Sequence, residues 1–328
     1  MKTLPALSAA PLGPARTWET SVLTSADLAA RLNLRRLHNG SWRGTCPACG
    51  YPGTFSLRER QGTTLWACAC CQDRGALTRA VLAAAGGTWQ PPAPCNRPTP
   101  CGLSPARKTA LAMAWWGEAL PVEGTPAEAY LRARHVLAPW RAGALPPEGA
   151  PLRFHPRIRH PEVEGLFPVL LALVRRATDG EPVAVHRTYL RPDGSGKAAL
   201  KPDKASFAPV GGGVVMLHAA PAAGPLVLAE GIETALSASA LLDGAPAWSC
   251  VFAGNLATLA LPAGARDLII ATDHDPPGQR AAATAARRWK AEGRDVRLAL
   301  PDAADRDFND LLRARHGRAP IPEIQPHG

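Results

Sequence analysis

Four cysteines of the 328-residue chain have the spacing of metal ligands. Cys46 and Cys49 form one Cys-x-x-Cys pair, and Cys68 and Cys71 form a second pair, with 18 residues between the pairs. Each pair places two thiolates on one tight turn, and four thiolates are a ligand set of closed tetrahedral zinc sites. The spacing predicts a zinc ribbon with strands between the pairs. Cys70 stays an alternative ligand, because it can replace Cys68 or Cys71.

Carboxylates follow the predicted strands of the C-terminal part of the chain. Glu230 follows an apolar run at 226–229, and Asp273 and Asp275 follow another at 267–271. Ligands of an open parallel sheet bind at the carboxyl ends of its strands, so these side chains are expected to converge. Converging carboxylates repel one another unless a divalent cation neutralises them, and oxygen ligands favour Mg²⁺ or Mn²⁺. A third acidic group follows Leu300 and contains Asp302, Asp305, Asp307 and Asp310.

An acidic residue after a strand also serves as the N-cap of the helix that follows, as Asp275 can before Pro276. One such residue would favour capping alone, whereas acidic groups after three separate strands favour a metal site. Glu233 follows Glu230 by three residues, in a predicted helix, and its role stays open at this point.

The charge of the chain indicates a polyanionic partner. The 37 Lys and Arg outnumber the 27 Asp and Glu, which gives a formal net charge of +10. Residues 1–220 carry +12 and residues 221–328 carry −2, so the basic surface and the carboxylates are separated along the chain. This distribution favours nucleic acid as the partner of the first part and a cation as the ligand of the last. Without a long apolar run or a secretory core, a cytoplasmic protein with no membrane partner is expected.

The pattern of apolar residues predicts the elements that hold these groups. Two β-rich runs at 167–174 and 183–190 flank the turn residues Asp179 and Gly180, which predicts a hairpin. From residue 225 onward strands alternate with helices, which predicts a parallel sheet with crossover helices. The expected strands of this sheet are at 226–229, 249–253, 267–271 and 296–300, and the expected helices are at 233–242 and 278–292.

The predicted fold class is α/β, with an N-terminal zinc ribbon, a mixed α+β middle and a C-terminal parallel sheet flanked by helices. A short helix is expected over 21–38, with Thr24 or Ser25 as its N-cap. The predicted segments are a loose lead-in (1–20), a zinc-ribbon DNA-binding domain (21–85), a Pro/Gly-rich linker (86–105), a basic middle subdomain (106–222), the α/β domain (223–318) and a tail (319–328).

Basic side chains accompany both the cysteines and the strands of the middle subdomain. Around the cysteines, arginines interleave with aromatic residues, which is a composition typical of surfaces that bind single-stranded nucleic acid. In the middle subdomain, a basic strand and loop directly precede the acidic domain, where they can hold a triphosphate or a template backbone. The alternative for this loop is a solvated hairpin. The candidate nucleotide-binding and DNA-binding residues are Arg43, Arg58, Arg187, Lys197, Lys201 and Lys204.

The acidic pattern resembles the Toprim domain, which bacterial primases, type IA and type II topoisomerases, some nucleases and a recombination mediator share. The motifs are Leu-Ala-Glu-Gly ending at Gly231, and Asp-His-Asp at 273–275 followed by Gly278 and a helix. The segment 305–310, Asp-Arg-Asp-Phe-Asn-Asp, is similar to the later acidic motif of primase-type Toprim domains. The cysteine element is similar to the primase zinc-binding domain, whose second ligand is commonly His where this chain has Cys49.

The resemblance implies that Glu230, Asp273 and Asp275 are catalytic residues that bind Mg²⁺ or Mn²⁺, with Asp307 as a further ligand. It implies structural Zn²⁺ at the four cysteines and a middle subdomain that lines a nucleotide cleft. The implied activity is that of a DNA primase-like nucleotidyltransferase, which makes short RNA primers from nucleoside triphosphates on single-stranded DNA. A phage, plasmid or other mobile element is the expected source, and a separate replicative helicase is a candidate partner.

Two other functions are compatible with the same motifs. One is a non-catalytic DNA-binding protein of the recombination-mediator type, which also combines a cysteine zinc element with a Toprim domain. The other is a Toprim nuclease. A topoisomerase is disfavoured because it needs a nucleophilic tyrosine, and the three tyrosines lie in the zinc unit (Tyr51), a predicted helix (Tyr130) and a predicted strand (Tyr189).

Overall fold

The computed structural model describes residues 23–37, 40–60, 62–68, 71, 74–86, 103–301 and 306–317. The predicted lead-in and tail and most of the predicted linker lie outside these residues. Cys70, Asp302 and Asp305 also lie outside them, so the alternative role of Cys70 and part of the third acidic group stay predictions.

The N-terminal unit is a small antiparallel sheet with a helix before it and a helix after it. Its core contains Leu28 of the first helix, Phe55 and Leu57 of the sheet, and Val81 of the second helix, all of them buried. The sheet has the strand order β1-β2-β3-β4. The elements are α1 (Ser25–Arg31), β1 (Arg35–Arg36), β2 (Trp42–Gly44), β3 (Phe55–Arg60), β4 (Thr63–Cys68) and α2 (Arg74–Ala84).

The helix expected over 21–38 is much shorter in the structure. Thr24 is its N-cap and forms a capping box with Asp27, in agreement with one of the two predicted caps. The helix ends at Arg31 because Asn33 adopts a left-handed backbone conformation with φ of 50°, which asparagine tolerates better than most residues. The chain then enters β1, so the C-terminal half of the predicted helix is wrong.

The middle part packs helices against an antiparallel set of strands. The hairpin expected around Asp179 and Gly180 is present as β6 and β7, with Leu171 opposite Arg187 in its register. The elements are α3 (Pro105–Glu118), α4 (Pro126–Ala133), α5 (Leu137–Ala142), β5 (Leu152–Arg159), β6 (Leu166–Arg176), β7 (Pro182–Tyr189), β8 (Lys204–Phe207) and β9 (Gly213–Met216).

The C-terminal part alternates strands and helices as expected, and its strands β13, β12, β10 and β11 are parallel neighbours in that order. The predicted α/β class is therefore confirmed. The elements are β10 (Pro225–Ala229), α6 (Ile232–Leu241), β11 (Ala247–Ser249), α7 (Ala253–Thr258), β12 (Asp267–Ala271), α8 (Pro276–Ala291), β13 (Asp295–Ala299) and α9 (Phe308–Gly317).

The strand expected at 249–253 is wrong in its position. The strand β11 ends at Ser249, and α7 begins at Ala253. Between them Val251 has φ of 71°, a left-handed conformation that is a genuine outlier for a β-branched residue and stops the strand.

None of the helices in the described ranges is long and apolar enough to cross a bilayer.

The middle and C-terminal parts share one continuous sheet. The strand β9 pairs antiparallel with β11 on one side and with β6 on the other. The strand order is β13-β12-β10-β11-β9-β6-β7-β8, and β5 pairs with β6 outside this path. Buried side chains cover both faces of the sheet, with Tyr130 and Leu236 in one apolar cluster and Trp289 in another. All four residues of β9 are buried, so the strand that connects the middle and C-terminal parts lies in the interior of the protein.

The side chain of Asn255, in α7, ties that helix to β9. Its Nδ2 donates to the carbonyl oxygens of Gly213 at 2.6 Å and Cys250 at 2.9 Å, and its Oδ1 accepts from the N–H of Gly212 at 2.8 Å. The side chain is 1% exposed. The bonds with Gly212 and Gly213 connect the C-terminal part to the beginning of β9, and the bond to Cys250 holds the loop before α7.

Replacing Asn255 with alanine removes these three buried hydrogen bonds. Because each polar group left unpaired in the interior costs about 1–3 kcal/mol, we expect the free energy of unfolding to fall by about 3 kcal/mol or more. Urea unfolding followed by circular dichroism measures the change. The control is Thr284→Ala on the exposed face of α8, which we expect to cost less than about 0.5 kcal/mol. Equal stability of the two variants would contradict the role of Asn255.

Candidate metal centres and nucleic-acid cleft

The four predicted zinc ligands come together in the N-terminal unit. The Sγ atoms of Cys46 and Cys71 are 3.6 Å apart, those of Cys49 and Cys68 are 3.8 Å apart, and all four lie within 4.8 Å of one another. A tetrahedral zinc site with Zn–S distances of about 2.3 Å has S–S edges of about 3.8 Å. The thiols therefore fit the predicted metal without any rearrangement.

The hairpin of β3 and β4 explains why distant cysteines meet. The first pair lies on a turn after β2, closed by a hydrogen bond from the N–H of Gly50 to the carbonyl of Cys46. The second pair lies at the end of β4, where Phe55 and Cys68 are direct partners across the hairpin. The N–H of Cys71 donates to the Sγ of Cys68 at 3.3 Å. This N–H···S contact joins the two cysteines of the second pair.

The predicted carboxylates lie at the carboxyl ends of neighbouring parallel strands. Ala229 and Ala271 are register partners on β10 and β12, so Glu230 and the loop that carries Asp273 begin side by side. The Oδ1 of Asp275 accepts from the N–H of Gly278 at 2.6 Å and caps α8. Gly278 leaves room for that oxygen, because a Cβ there would come within 2.9 Å of it.

Asp307 is also a helix cap. Its Oδ1 accepts from the N–H of Asp310 at 2.7 Å at the start of α9. The capping interpretation is therefore correct for Asp275 and Asp307, and it is compatible with metal binding because a carboxylate has a second oxygen. The influence of Asp307 on the pKa of Asp273 places the two carboxylates near each other.

Burial and mutual repulsion raise the pKa values of two of the carboxylates, Glu230 and Asp273. Burial, followed by the charges of Asp275 and Asp273, raises the pKa of Glu230 to about 7. Burial, followed by the charges of Asp307 and Asp275, raises the pKa of Asp273. The Oδ1 of Asp273 is buried without a hydrogen-bond partner among the described residues. These are the conditions that a bound cation relieves, so the residues fit Mg²⁺ or Mn²⁺.

The carboxylates surround a wider space than the thiols do. Within the described ranges, the four cysteines alone bring three or more ligand atoms within 4.8 Å of one another. Mg²⁺ commonly binds proteins through one or two carboxylates and keeps several waters or substrate phosphates. The open arrangement is therefore suited to a cation that also holds phosphate oxygens.

Glu233, whose role the sequence left open, belongs to a buried ion pair. Its Oε1 accepts from the hydroxyl of Tyr130 at 2.5 Å, and its Oε2 accepts from the Nζ of Lys204 at 3.1 Å. Burial opposes ionisation of Glu233, but the ammonium groups of Lys204 and Lys197 outweigh it and hold its pKa well below the usual range. Glu233 thus positions the Lys204 ammonium, whose side chain is 30% exposed, at the edge of the carboxylate site.

The other predicted basic residues of the middle part have different environments. Arg187 is 4% exposed, and its guanidinium donates to the carbonyl oxygens of Arg159, Ala205 and Ser206. Lys197 pairs with Asp203 at 3.1 Å, next to Lys204. Lys201 is exposed and is not among the described residues that line the cleft. Direct nucleotide contacts by Arg187, Lys197 and Lys201 stay predictions, and among the predicted basic residues of the middle part Lys204 is the best placed.

The N-terminal unit docks on the middle part through a buried glutamate. Glu162, in the loop between β5 and β6, has a side chain that is 3% exposed. Its Oε2 accepts from Arg35 at 3.2 Å, and its Oε1 lies 3.0 Å from the Nε of Arg43. These contacts bring Arg43 to the cleft, whereas Arg58 is exposed on β3.

One cleft of about 650 Å³ connects all three parts of the chain. The C-terminal part contributes carboxylates, the middle part contributes Lys204 and His186, and the N-terminal unit contributes Arg43 and Tyr51. Burial, followed by the charge of Lys204, lowers the pKa of His186 to about 3, so this imidazole is neutral at pH 7. The residues used here that line the cleft are Arg43, Tyr51, His186, Lys204, Glu230, Thr234, Asp273 and Asp275.

Several of these residues were not predicted from the sequence. The Oγ1 of Thr234 lies 3.5 Å from the Oδ2 of Asp273. Its position in the first helical turn after Glu230 could have predicted that it lies near the carboxylates. Tyr130 and Glu162 had no such signal, because their partners lie more than 100 positions away in the chain. Their contacts depend on how the sheet and the N-terminal unit pack.

Residues 225–318 match the Toprim domain family. This segment is a Toprim domain. The match covers the strands and helices that carry Glu230, Asp273, Asp275 and Asp307, and it confirms the resemblance inferred from their motifs. Residues 106–217, in the middle part, match a domain of unknown function, DUF7146. No curated protein matches the chain in sequence.

Solved structures of primases show a distant likeness to parts of the chain. The primase fragment of the bacteriophage T7 primase-helicase protein is 18% identical, with 87% of this chain and 96% of that chain covered and a TM-score of 0.39. The RNA polymerase domain of Mycobacterium tuberculosis primase DnaG is 18% identical, with 65% and 82% covered and a TM-score of 0.35.

A third likeness is to a chain in the structure of bacteriophage T7 lagging-strand DNA polymerase interacting with primase domains of two gp4 subunits bound to an RNA/DNA hybrid and dTTP. That chain is 21% identical, with 47% of this chain and 78% of that chain covered and a TM-score of 0.30.

Substituting one thiol should abolish metal binding by the cysteine cluster. We expect Cys49→Ala to reduce the bound metal from about one ion per chain to near zero, because a structural site needs all four ligands. Elemental analysis of the purified protein measures the ion, and thermal unfolding measures the accompanying loss of stability. Cys250→Ala is the control, since Cys250 is a buried thiol of the Toprim domain outside the cluster. Full metal content in Cys49→Ala would exclude this ligand set.

The ion pair of Glu233 and Lys204 should give a pH-dependent contribution to stability. Because the pKa of Glu233 is lowered on folding, the ionised form stabilises the fold above about pH 4.3, and the contribution is lost as the pH falls through the folded-state pKa. We expect Glu233→Gln to lower the free energy of unfolding by about 3 kcal/mol at pH 7, since it leaves a partly buried ammonium unpaired. The difference from the wild type should shrink below pH 4.

Denaturant unfolding at a series of pH values measures this difference. Glu164→Gln is the matched control, because Glu164 is exposed and the same change there should leave stability nearly constant at every pH. A Glu233→Gln effect that stays constant down to pH 3 would show that the residue acts by packing alone.

Proposed function

We propose that the protein is a primase-like nucleotidyltransferase that joins ribonucleotides into short RNA primers on a single-stranded DNA template. The observation that carries the proposal is the cleft that the Toprim carboxylates, Lys204, and Arg43 and Tyr51 of the N-terminal unit line together. Template-directed synthesis needs groups for metal, triphosphate and template at one place. The combination of a cysteine cluster with a primase-type acidic pattern in the Toprim domain supports the same activity.

Glu230, Asp273, Asp275 and Asp307 are the proposed ligands of Mg²⁺ or Mn²⁺. When bound, the cation neutralises charge on the phosphate oxygens and lowers the pKa of the attacking hydroxyl. The carboxylates of Asp275 and Asp307 each use one oxygen to cap a helix, which restricts their orientation. Asp273 keeps a buried oxygen without a partner among the described residues, so it is the residue whose charge most needs the cation.

Lys204 is the proposed contact for the triphosphate of the incoming nucleotide. Its ammonium remains charged because Glu233 outweighs the effect of burial and raises its pKa. Glu233 and Tyr130 restrict its position, so less conformational freedom is lost when a phosphate binds. Arg187 supports this wall of the cleft by bonding the backbone on both sides of it.

The cysteine cluster is proposed to hold a structural Zn²⁺ that stabilises the N-terminal unit. Arg43 and Tyr51 would then contact the template at the cleft, with Arg58 farther out on the same unit. Arginine contacts phosphates, and an aromatic ring stacks on an unpaired base, which is the pattern of single-strand binding. A separate replicative helicase is the proposed partner that supplies the single strand.

The decisive assay incubates the protein with labelled ribonucleoside triphosphates, single-stranded DNA and Mn²⁺ or Mg²⁺. We expect short, template-dependent RNA products from the wild type. Asp273→Asn should reduce their yield by roughly a hundredfold or more, because it removes a metal ligand without changing the side-chain volume. Gel electrophoresis of the products measures the yield.

Asp243→Asn is the matched control. Asp243 is exposed in a turn with φ of 54°, a conformation that asparagine tolerates well, so the same chemical change should leave synthesis intact. Shortened DNA without new RNA would identify a nuclease instead. Binding of DNA without synthesis or cleavage would identify a non-catalytic protein of the recombination-mediator type. Either result would overturn the primase proposal.

A further inference from the structure

A second cavity of about 630 Å³ lies beside the cleft in the middle part. The loop between β5 and β6 separates the two, and Pro161 and Arg187 line both of them. The cleft and the cavity therefore adjoin at Pro161 and Arg187. The position makes the cavity a neighbour of the proposed active site rather than a part of it.

Two aromatic rings line the cavity. Trp115 of α3 and Phe207 of β8 are both half-buried, and their ring centroids are 4.5 Å apart at an angle of 38°. Half-buried rings in a concave site can stack on a ligand, whereas fully buried rings of the core cannot.

A buried guanidinium holds these rings in place. Arg187 lies 5.5 Å from the ring centroid of Trp115 and 5.9 Å from that of Phe207, within the range of cation–π attraction. Its N–H groups donate to the backbone carbonyl oxygens of Arg159, Ala205 and Ser206, which restricts its orientation. The rings are thus fixed before any ligand arrives, which reduces the entropy cost of binding.

The charges of the lining suit an uncharged ligand group at this point. Among the described residues that line the cavity, Arg159 and Arg187 balance Glu162 and Glu164. Arg159 is also exposed on β5, and outside the lining Arg157 of β5 is exposed and Arg35 of the N-terminal unit is 62% exposed. A nucleic-acid strand needs this arrangement, with its neutral base in an aromatic cavity and its phosphates against exposed arginines.

We propose that this cavity binds an unpaired base of the single-stranded DNA that enters or leaves the cleft, stacked on Trp115 and Phe207. The binding is tolerant of sequence, because every base offers a π-face. The proposal rests on the proposed function for the identity of the strand, but the binding itself requires neither nucleotide nor synthesis.

The test measures the affinity of the full chain for a fluorescently labelled oligodeoxythymidylate without nucleoside triphosphates. We expect Trp115→Leu, which keeps apolar volume but lacks the π-face, to weaken binding roughly tenfold. Trp115→Phe should retain affinity within about threefold, since it keeps a ring for stacking. The matched control is Trp116→Leu, because Trp116 packs against Arg153 and is absent from the described lining. Circular dichroism and thermal unfolding verify that each variant is folded.

An abasic oligonucleotide of the same length separates stacking from charge. Trp115→Leu and the wild type should bind this probe equally, and the salt dependence of binding to the normal probe should be unchanged, because phosphate contacts are retained. The proposal is overturned if Trp115→Leu binds oligodeoxythymidylate as tightly as Trp116→Leu does, or if it loses the same affinity for the abasic probe. Primer synthesis by the wild type is measured separately, so failure of the proposed function shows as absent product, whatever the binding result.

Discussion

Backbone hydrogen bonds on both sides of β9 hold the Toprim domain and the basic middle part in one sheet. The strand has only four residues, all of them buried, and Asn255 adds bonds from α7 to its beginning. Neither part can shift against the other without breaking this ladder and exposing its polar groups. The distance between Lys204 of the middle part and the carboxylates of the Toprim domain is set by this shared sheet, and a flexible linker would leave it undefined.

The charged groups at the cleft differ in how completely a neighbouring opposite charge compensates them. Lys204 is matched by Glu233 in a buried ion pair, so its charge does not fully neutralise the carboxylates of Glu230 and Asp273. Glu230 and Asp273 remain close to like charges, and both pKa values are raised. An incompletely compensated cluster is costly for folding, which is typical of functional sites. The same excess of negative charge is the condition that a bound cation would relieve.

The loop between β5 and β6 holds the N-terminal unit against the middle part at the cleft. Glu162 fixes the N-terminal unit by contacting Arg35 and Arg43, and its neighbour Pro161 separates the cleft from the aromatic cavity. A buried carboxylate that is matched by two guanidinium groups costs less than an unpaired one, so docking of the unit is favoured in this arrangement. Arg43 of the N-terminal unit and the carboxylates thereby line one cleft, and the aromatic cavity adjoins it at Pro161 and Arg187.

Local spacing was sufficient to predict the clustering of the four cysteines, the strands before Glu230 and Asp273, the Toprim resemblance and the α/β class. Each of these depends on residues that lie close together in the chain. The helix over 21–38 and the strand over 249–253 failed where Asn33 and Val251 adopt left-handed conformations that composition does not reveal. Charge patterning also predicted a nucleotide contact for Arg187, which stays a prediction, and it did not reveal that the guanidinium donates to backbone carbonyl oxygens. Only the tertiary structure decided which charges are paired. Partners such as Glu233 with Tyr130 meet because a twisted sheet and its covering helices bring remote segments together, and no local pattern records that contact.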